Sequence, residues 1–277
     1  MSPTVRGLLH RLGVKPRRPE LPLHGWTKAS VATPLLDALE DGELAELNAA
    51  LPWNCFTVDG RGRRFGAAAR RGKRDEPQAV PDPRIAALHQ RFNLEDASVL
   101  EIGCFEGVHT VGLCGFAREV TALDGRVENV VKTIVRTAMM GYHPAVFLCD
   151  VEDERQAARL PEVDVVHHVG VLYHLKDPVA HLAAIAQRTR RVMMLDTHFA
   201  HPDDATASLT SDGRTYRCRR YREFGHADVF SGMYEHSMWL MLDDLTAILA
   251  AAGLTKAEIV ERRDERNGAR VLLYARR

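Results

Sequence analysis

The feature that most constrains this chain is an alternation beginning at Ser98. Short runs of aliphatic and β-branched residues alternate from there with stretches whose apolar residues recur at helical spacing. That order calls for a parallel sheet joined by crossover helices. Strands are expected at 98–103, 119–123, 145–149, 163–169 and 191–197, and helices near 108–116, 127–140, 152–158 and 178–188. A last helix over 242–252 precedes two short runs, 256–261 and 270–274, around the turn-forming pair Asn267-Gly268. The expectation is an α/β, Rossmann-like domain over residues 84–277 that ends in a hairpin.

Upstream, residues 1–30 are basic and contain several prolines, reading as a tail with one short helix near 5–12. Residues 31–83 form an appendage and linker. Its leucines at helical spacing (Leu35, Leu36, Leu39, Leu44, Leu47) predict one or two helices before Leu51-Pro52, and Cys55–Val58 with Asp59-Gly60 and Arg63–Phe65 predicts a hairpin. Lys plus Arg and Asp plus Glu are equal at 37 each, so no whole-molecule field draws in nucleic acid or an anionic membrane. Five scattered cysteines without CxxC spacing argue against a disulfide framework or zinc knuckle and suit a reducing cytoplasm. The apolar stretch near the N-terminus is broken by Arg11, and no run approaches the roughly 18 apolar residues of a membrane span. A soluble, cytoplasmic protein is expected.

The chemistry-bearing segment is the first strand of the alternation together with the turn at its end. Ser98–Gly103 runs into Cys104-Phe105-Glu106-Gly107 and then a helix, with the spacing ExGxxxG. Gly103 and Gly107 fall where the backbone turns tightly and approaches a ligand, and the next helix presents unpaired amides. This suits the zwitterionic tail of S-adenosylmethionine (SAM) better than a pyrophosphate, which favours GxGxxG; the first of those glycines is here Glu101. Glu101 is expected to accept from the ligand's ammonium, with Cys104 beside it. Asp124 ends the second strand, where an acid can accept both ribose hydroxyl protons, and Gly125 comes directly after it. Asp150 after the third strand is placed for the adenine amine, with Val151 covering the ring. One acid after a strand is often a helix cap; three at consecutive strand ends point to a ligand.

Leu100–Cys104 with Glu106–His109, together with Val169-Gly170-Val171-Leu172-Tyr173-His174-Leu175-Lys176-Asp177-Pro178, resemble class I SAM-dependent methyltransferases. The resemblance is to the group related to bacterial tRNA wobble-uridine carboxymethyltransferases. Leu51-Pro52-Trp53, Ser237-Met238-Trp239 and Asn267–Leu273 fit the same group, so the resemblance spans roughly residues 50–277. It implies a seven-stranded sheet, with Gly170 near the cofactor and Tyr173 and His174 beside the transferred methyl as catalytic candidates. Trp53 and Arg270 are implied on the substrate side. The carboxymethyl branch places a lysine just after the Pro-Trp pair to read an extra carboxylate, whereas Asn54 and Cys55 stand there in this chain; plain SAM is therefore expected. His167 and His168 alternate along a strand and are expected to be structural.

Between the fifth strand and the last helix lies an insertion over 198–238, long enough to form a cap. Its run Tyr216–Arg222 offers Tyr216, Arg219 and Tyr221 for a carboxylate or a ring. Its histidines show no HExxH spacing, and no metal is expected. The overall expectation is a methyltransferase for a small-molecule, possibly anionic, acceptor. Other SAM chemistry (cyclisation or aminocarboxypropyl transfer), tRNA wobble-uridine modification and a non-catalytic SAM-fold partner subunit stay as alternatives.

Overall fold

The computed structural model describes residues 21–27, 33–67 and 76–277. The tail helix expected near 5–12 and part of the basic stretch before residue 76 lie outside them. The appendage comprises α1 (Pro34–Ala38), α2 (Asp41–Ala50) and the hairpin of β1 (Phe56–Val58) and β2 (Arg64–Gly66). Leu36, Leu44, Trp53 and Phe65 form its core. Next comes α3 (Pro83–Phe92), started by Pro83 and by the Asp82 carboxylate, which accepts from the Arg84 amide.

The main sheet contains β3 (Ser98–Ile102), β4 (Glu119–Asp124), β5 (Ala145–Leu148), β6 (Val163–Val169), β7 (Thr189–His198), β11 (Lys256–Glu265) and β12 (Gly268–Arg276). Its seven strands run in the order β11-β12-β7-β6-β3-β4-β5. β5, β4, β3, β6 and β7 are mutually parallel, whereas β12 is antiparallel to both β7 and β11. The antiparallel pair is longer than the two short runs read from the sequence, because charged residues such as Arg262 and Arg263 sit on an edge strand that needs little apolar character.

β3 alternates strictly. Leu100 and Ile102 enter the core shared with α7 (Pro178–Gln187) and α8 (Leu242–Ala251), while Val99 enters the core shared with α3 and α4 (Val108–Cys114). Glu101 therefore faces α4. β6 obeys the same rule, and its two histidines part: His168 pairs with His181 of α7 at 2.9 Å, while His167 faces the side of Glu101. α5 (Val127–Met139) packs beside α4, and α6 (Glu154–Ala157) is a single turn.

The insertion is itself a sheet. β8 (Ala207–Ser211), β9 (Arg214–Arg222) and β10 (His236–Leu240) pair antiparallel in the order β10-β9-β8. The alternation of buried Tyr216 and Cys218 with exposed Arg217 is a period-2 signal visible in the sequence but easily taken for a charged loop.

Candidate functional site

Strand order reverses between β3 and β6, and in such sheets the crevice beyond the carboxyl ends of these strands is where ligands bind. A cavity of about 580 Å³ lies there, within the usual range of roughly 300–1,000 Å³ for small-molecule sites. Of the residues singled out in the sequence, Gly103, Cys104, Asp124, Gly125, Asp150, Val151, Gly170, Tyr173, His174 and Arg270 all line it.

The turn after β3 is fixed to its neighbour, since the amides of Gly103 and Cys104 both donate to the Leu123 carbonyl, at 2.8 and 2.9 Å. Gly103 has φ +75°, and a Cβ there would stand 2.3 Å from Cγ2 of Val171, so only glycine suits this crossing. Gly107, also at positive φ, serves helix packing instead: its Cβ would meet Cα of Thr133 on α5 at 3.0 Å. Asp124 accepts from the amides of Phe105 (3.0 Å) and Arg126 (2.9 Å) and from Asn129 Nδ2 (3.0 Å), and burial pushes its carboxyl up. Asn129 Oδ1, from a residue that also lines the cavity, is a buried acceptor with no partner among the described residues. Asp150 accepts from the Glu152 amide at 3.0 Å and from the Tyr234 hydroxyl at 2.8 Å.

At the opposite end, Arg270 reaches in from β12. Its Nε donates to Asp196 at 2.5 Å and its guanidinium lies 5.2 Å from the centre of the Tyr173 ring. Asp196, fully buried, also accepts from Arg84 (2.6 Å) and Arg263 (2.9 Å). Although burial alone would raise its carboxyl, Arg270 and Arg84 hold it below the usual range. Arg84 and Asp82 line the cavity too. Burial keeps the Tyr173 phenol above its ordinary value, outweighing Arg270, so it stays a hydrogen-bond donor.

His174 sits in the 3₁₀ turn Leu172–His174 that leaves β6. Its Nδ1 lies 2.9 Å from Oε1 of Glu223, a buried carboxylate that also accepts from Ser237 Oγ (2.8 Å), Ser231 Oγ (2.5 Å) and the Gly232 amide (2.8 Å). Nothing in the sequence around Glu223 announces this role, because the pairing joins positions 49 residues apart. The cap loop that carries Ser231 closes one wall with Phe230 and Met233. Arg126 holds it down, donating to the carbonyls of Gly225 (2.8 Å), Asp228 (3.0 Å) and Ser231 (3.1 Å).

The remaining sequence candidates stand elsewhere. Glu101 is fully buried beneath the turn and accepts from Thr110 Oγ1 at 2.6 Å; the strand alternation turns it away from the cavity. Trp53 lies in the appendage core under the Arg136 guanidinium, 4.7 Å from its ring centre. The backbone amides of Asn54 and Cys55 donate to buried Glu106, which Lys132 neutralises at 2.8 Å. Tyr216 packs into the main core. Arg219 lies over Trp239 at 4.8 Å, and Tyr221 stacks on the same ring at 4.8 Å. That column reaches the cavity indirectly, because Trp239 stacks at 4.7 Å on His198, which lines it.

Sheet order and crevice together define a class I methyltransferase fold. A family described as a methyltransferase domain matches residues 74–259, and the chain belongs to it. The N-terminal domain of EvdMO1, crystallised in the presence of SAH and D-fucose, superposes with a TM-score of 0.71 at 24% identity, covering 86% of this chain and 97% of that one. Full-length EvdMO1 superposes at 0.58 and 21% identity, with 89% of this chain covering 49% of it. In sequence, the chain is 29% identical over 99 residues to the tRNA U34 carboxymethyltransferase of Cellvibrio japonicus and 29% over 109 residues to that of Saccharophagus degradans. Those matches cover 35% and 39% of this chain but only 31% and 32% of the relatives' length. Among the described residues no helix is long and apolar enough to cross a membrane.

Proposed function

We propose that this methyltransferase takes its methyl group from SAM and delivers it to a hydroxyl-type nucleophile of a small molecule, with His174 as the base. The carrying observation is that one cavity joins the Gly103 turn, Asp124 and Asp150 to a histidine whose far nitrogen is fixed by a buried carboxylate. On this reading the free acceptor atom of Asn129 and the remaining lone pair of Asp124 take the ribose hydroxyls. Asp150 and Val151 meet the adenine, and Arg84 meets the methionine carboxylate. Tyr173 lines the methyl position, with its phenol as donor.

The chemistry is an in-line displacement. The acceptor oxygen bonds to the methyl carbon as the sulfur–carbon bond breaks, SAH leaves neutral at sulfur, and the acceptor's proton passes to Nε2 of His174 and on to water. The site's work is alignment and proton removal. A small acceptor is supported by the cap loop that closes the cavity. A tRNA reading would want an open basic surface, yet Arg217 donates to the carbonyls of Pro202 and Ala205, and Arg219 pairs with Asp204 at 3.7 Å. The presence of D-fucose with the EvdMO1 domain makes sugars the first acceptors to try.

The test is incubation with methyl-tritiated SAM and a panel of hydroxylated small molecules, sugars first. Label in a product together with SAH supports the reading. Methylthioadenosine formed without acceptor, or label entering tRNA alone, would overturn it.

A further inference from the structure

Beneath the wall made by Asp82, Arg84 and His109 lies a cluster the methyl-transfer reading does not use. Glu101 of β3 and His167 of β6 are register partners on adjacent parallel strands, and both face α4. His109, in the first turn of α4, completes the group: one donor atom from each residue lies within 4.8 Å of the others. Glu101 Oε1 and His167 Nδ1 are 3.9 Å apart, and the two imidazole rings meet edge to face at 5.1 Å. Glu101 Oε1 and both ring nitrogens of His167 are enclosed, with no hydrogen-bond partner among the described residues. Buried polar atoms left unmatched are costly, and Glu101 Oε1 and the unprotonated nitrogen of the neutral His167 ring each have a lone pair to give to a common partner.

We propose that Glu101, His109 and His167 bind a divalent transition-metal ion of the zinc type. Two imidazoles with one carboxylate form a donor set suited to zinc, whereas magnesium and calcium prefer all-oxygen surroundings. Bond lengths of about 2.0–2.2 Å put tetrahedral ligand atoms roughly 3.3 Å apart, so the present spread closes by rotations shared over three side chains. The outer partners are those a metal site needs. Asp82 Oδ2 and Arg84 Nη2 each lie 3.3 Å from His109 Nε2, and Thr110 Oγ1 holds the other oxygen of Glu101. Burial keeps His167 in its neutral, ligating form. An ion here ties α4 to β3 and β6 behind the cavity wall. Spacing along the chain could not reveal the site, because its ligands come from three elements.

The experiment uses the whole chain, stripped with chelator and dialysed against Co²⁺ alone, then against Zn²⁺. The expected result is one equivalent of Co²⁺ showing the intense ligand-field bands of low coordination, displaced by Zn²⁺ and accompanied by a raised Tm. Uptake persists in His201→Ala, a cap histidine outside the cluster. It is lost in folded His167→Phe and weakened at least tenfold in Glu101→Gln, which keeps the shape and removes the charge. No Co²⁺ uptake by the folded native chain, or uptake unchanged in Glu101→Gln, would overturn the proposal. SAH affinity of the stripped protein is measured alongside: retained SAH binding with failed metal uptake sinks the metal site alone, and absent SAH binding with intact uptake sinks only the methyl-transfer reading.

Discussion

Replacing Glu223 by glutamine changes one atom, and its outcome comes from counting donors. The carboxylate takes two hydrogen bonds on each oxygen: His174 Nδ1 and Ser237 Oγ on one, Ser231 Oγ and the Gly232 amide on the other. An amide has one acceptor end and one NH₂ end. The backbone N–H of Gly232 can only donate, and leaving it against an NH₂ would cost about 1–3 kcal/mol. Ser237 can turn its hydroxyl and His174 can change tautomer, so the NH₂ settles against His174. Nδ1 then becomes the acceptor and the proton moves to Nε2, the nitrogen that must receive the acceptor's proton. General-base assistance is worth about 10²- to 10⁴-fold, and a drop of that order in kcat is expected with KM for SAM unchanged. Steady-state SAH release with the acceptor found by the tritium screen measures the rate, and ¹⁵N histidine spectra report the tautomer without any acceptor. A Glu223→Gln enzyme with native kcat, or a His174 still protonated at Nδ1 in that variant, would refute the reasoning.

Three further outcomes are expected. Asp124→Ala removes a charged acceptor worth about 1.5–3 kcal/mol and weakens SAH binding by roughly 10- to 100-fold in calorimetry. Asp196→Asn leaves Arg84, Arg263 and Arg270 around a neutral group. Breaking such a buried arrangement costs about 3–5 kcal/mol, which at about 2–3 °C per kcal/mol lowers Tm by roughly 6–15 °C. Because the Asp196 carboxyl is held below its ordinary value, its stabilisation is complete above about pH 4 and lost as pH falls through the depressed value. Denaturant titrations from neutral to acid pH should therefore show a shallower acid-side loss in Asp196→Asn than in the native chain. Arg126→Ala releases three carbonyls of the cap loop; faster amide exchange over 224–235 and a raised acceptor KM are expected, with SAH affinity little changed.

The parallel strands were legible because each is centred on a short apolar run set between stretches of helical spacing, and the glycine turn because only glycine passes that close to Val171. Asp124 and Asp150 were legible for a topological reason: a residue at a strand's carboxyl end lies at the crevice wherever the strand sits in the sheet. Glu101 shows the limit of that argument. It is two residues short of the turn, and alternation sends it to the opposite side from where its motif suggested. Arg84 and Glu223 were not legible, since each becomes part of the site through folding that joins distant segments; Asn129, five residues after Asp124, is brought to it by the turn into α5 and carries no motif of its own. The cap sheet was missed for another reason: more than half of β9 is arginine, and its alternation of buried and exposed side chains was masked by charge.

Asp124 and Arg126 stand two residues apart at the end of β4, one beside the proposed sugar and the other holding the lid's backbone. A nucleoside arriving at the first therefore lands next to the hinge pin of the second. Catalysis built this way favours a fixed sequence of arrivals, with donor entering first and acceptor sealed in afterwards. Product-inhibition patterns would display it: SAH competing with SAM alone, and the methylated product leaving before SAH does.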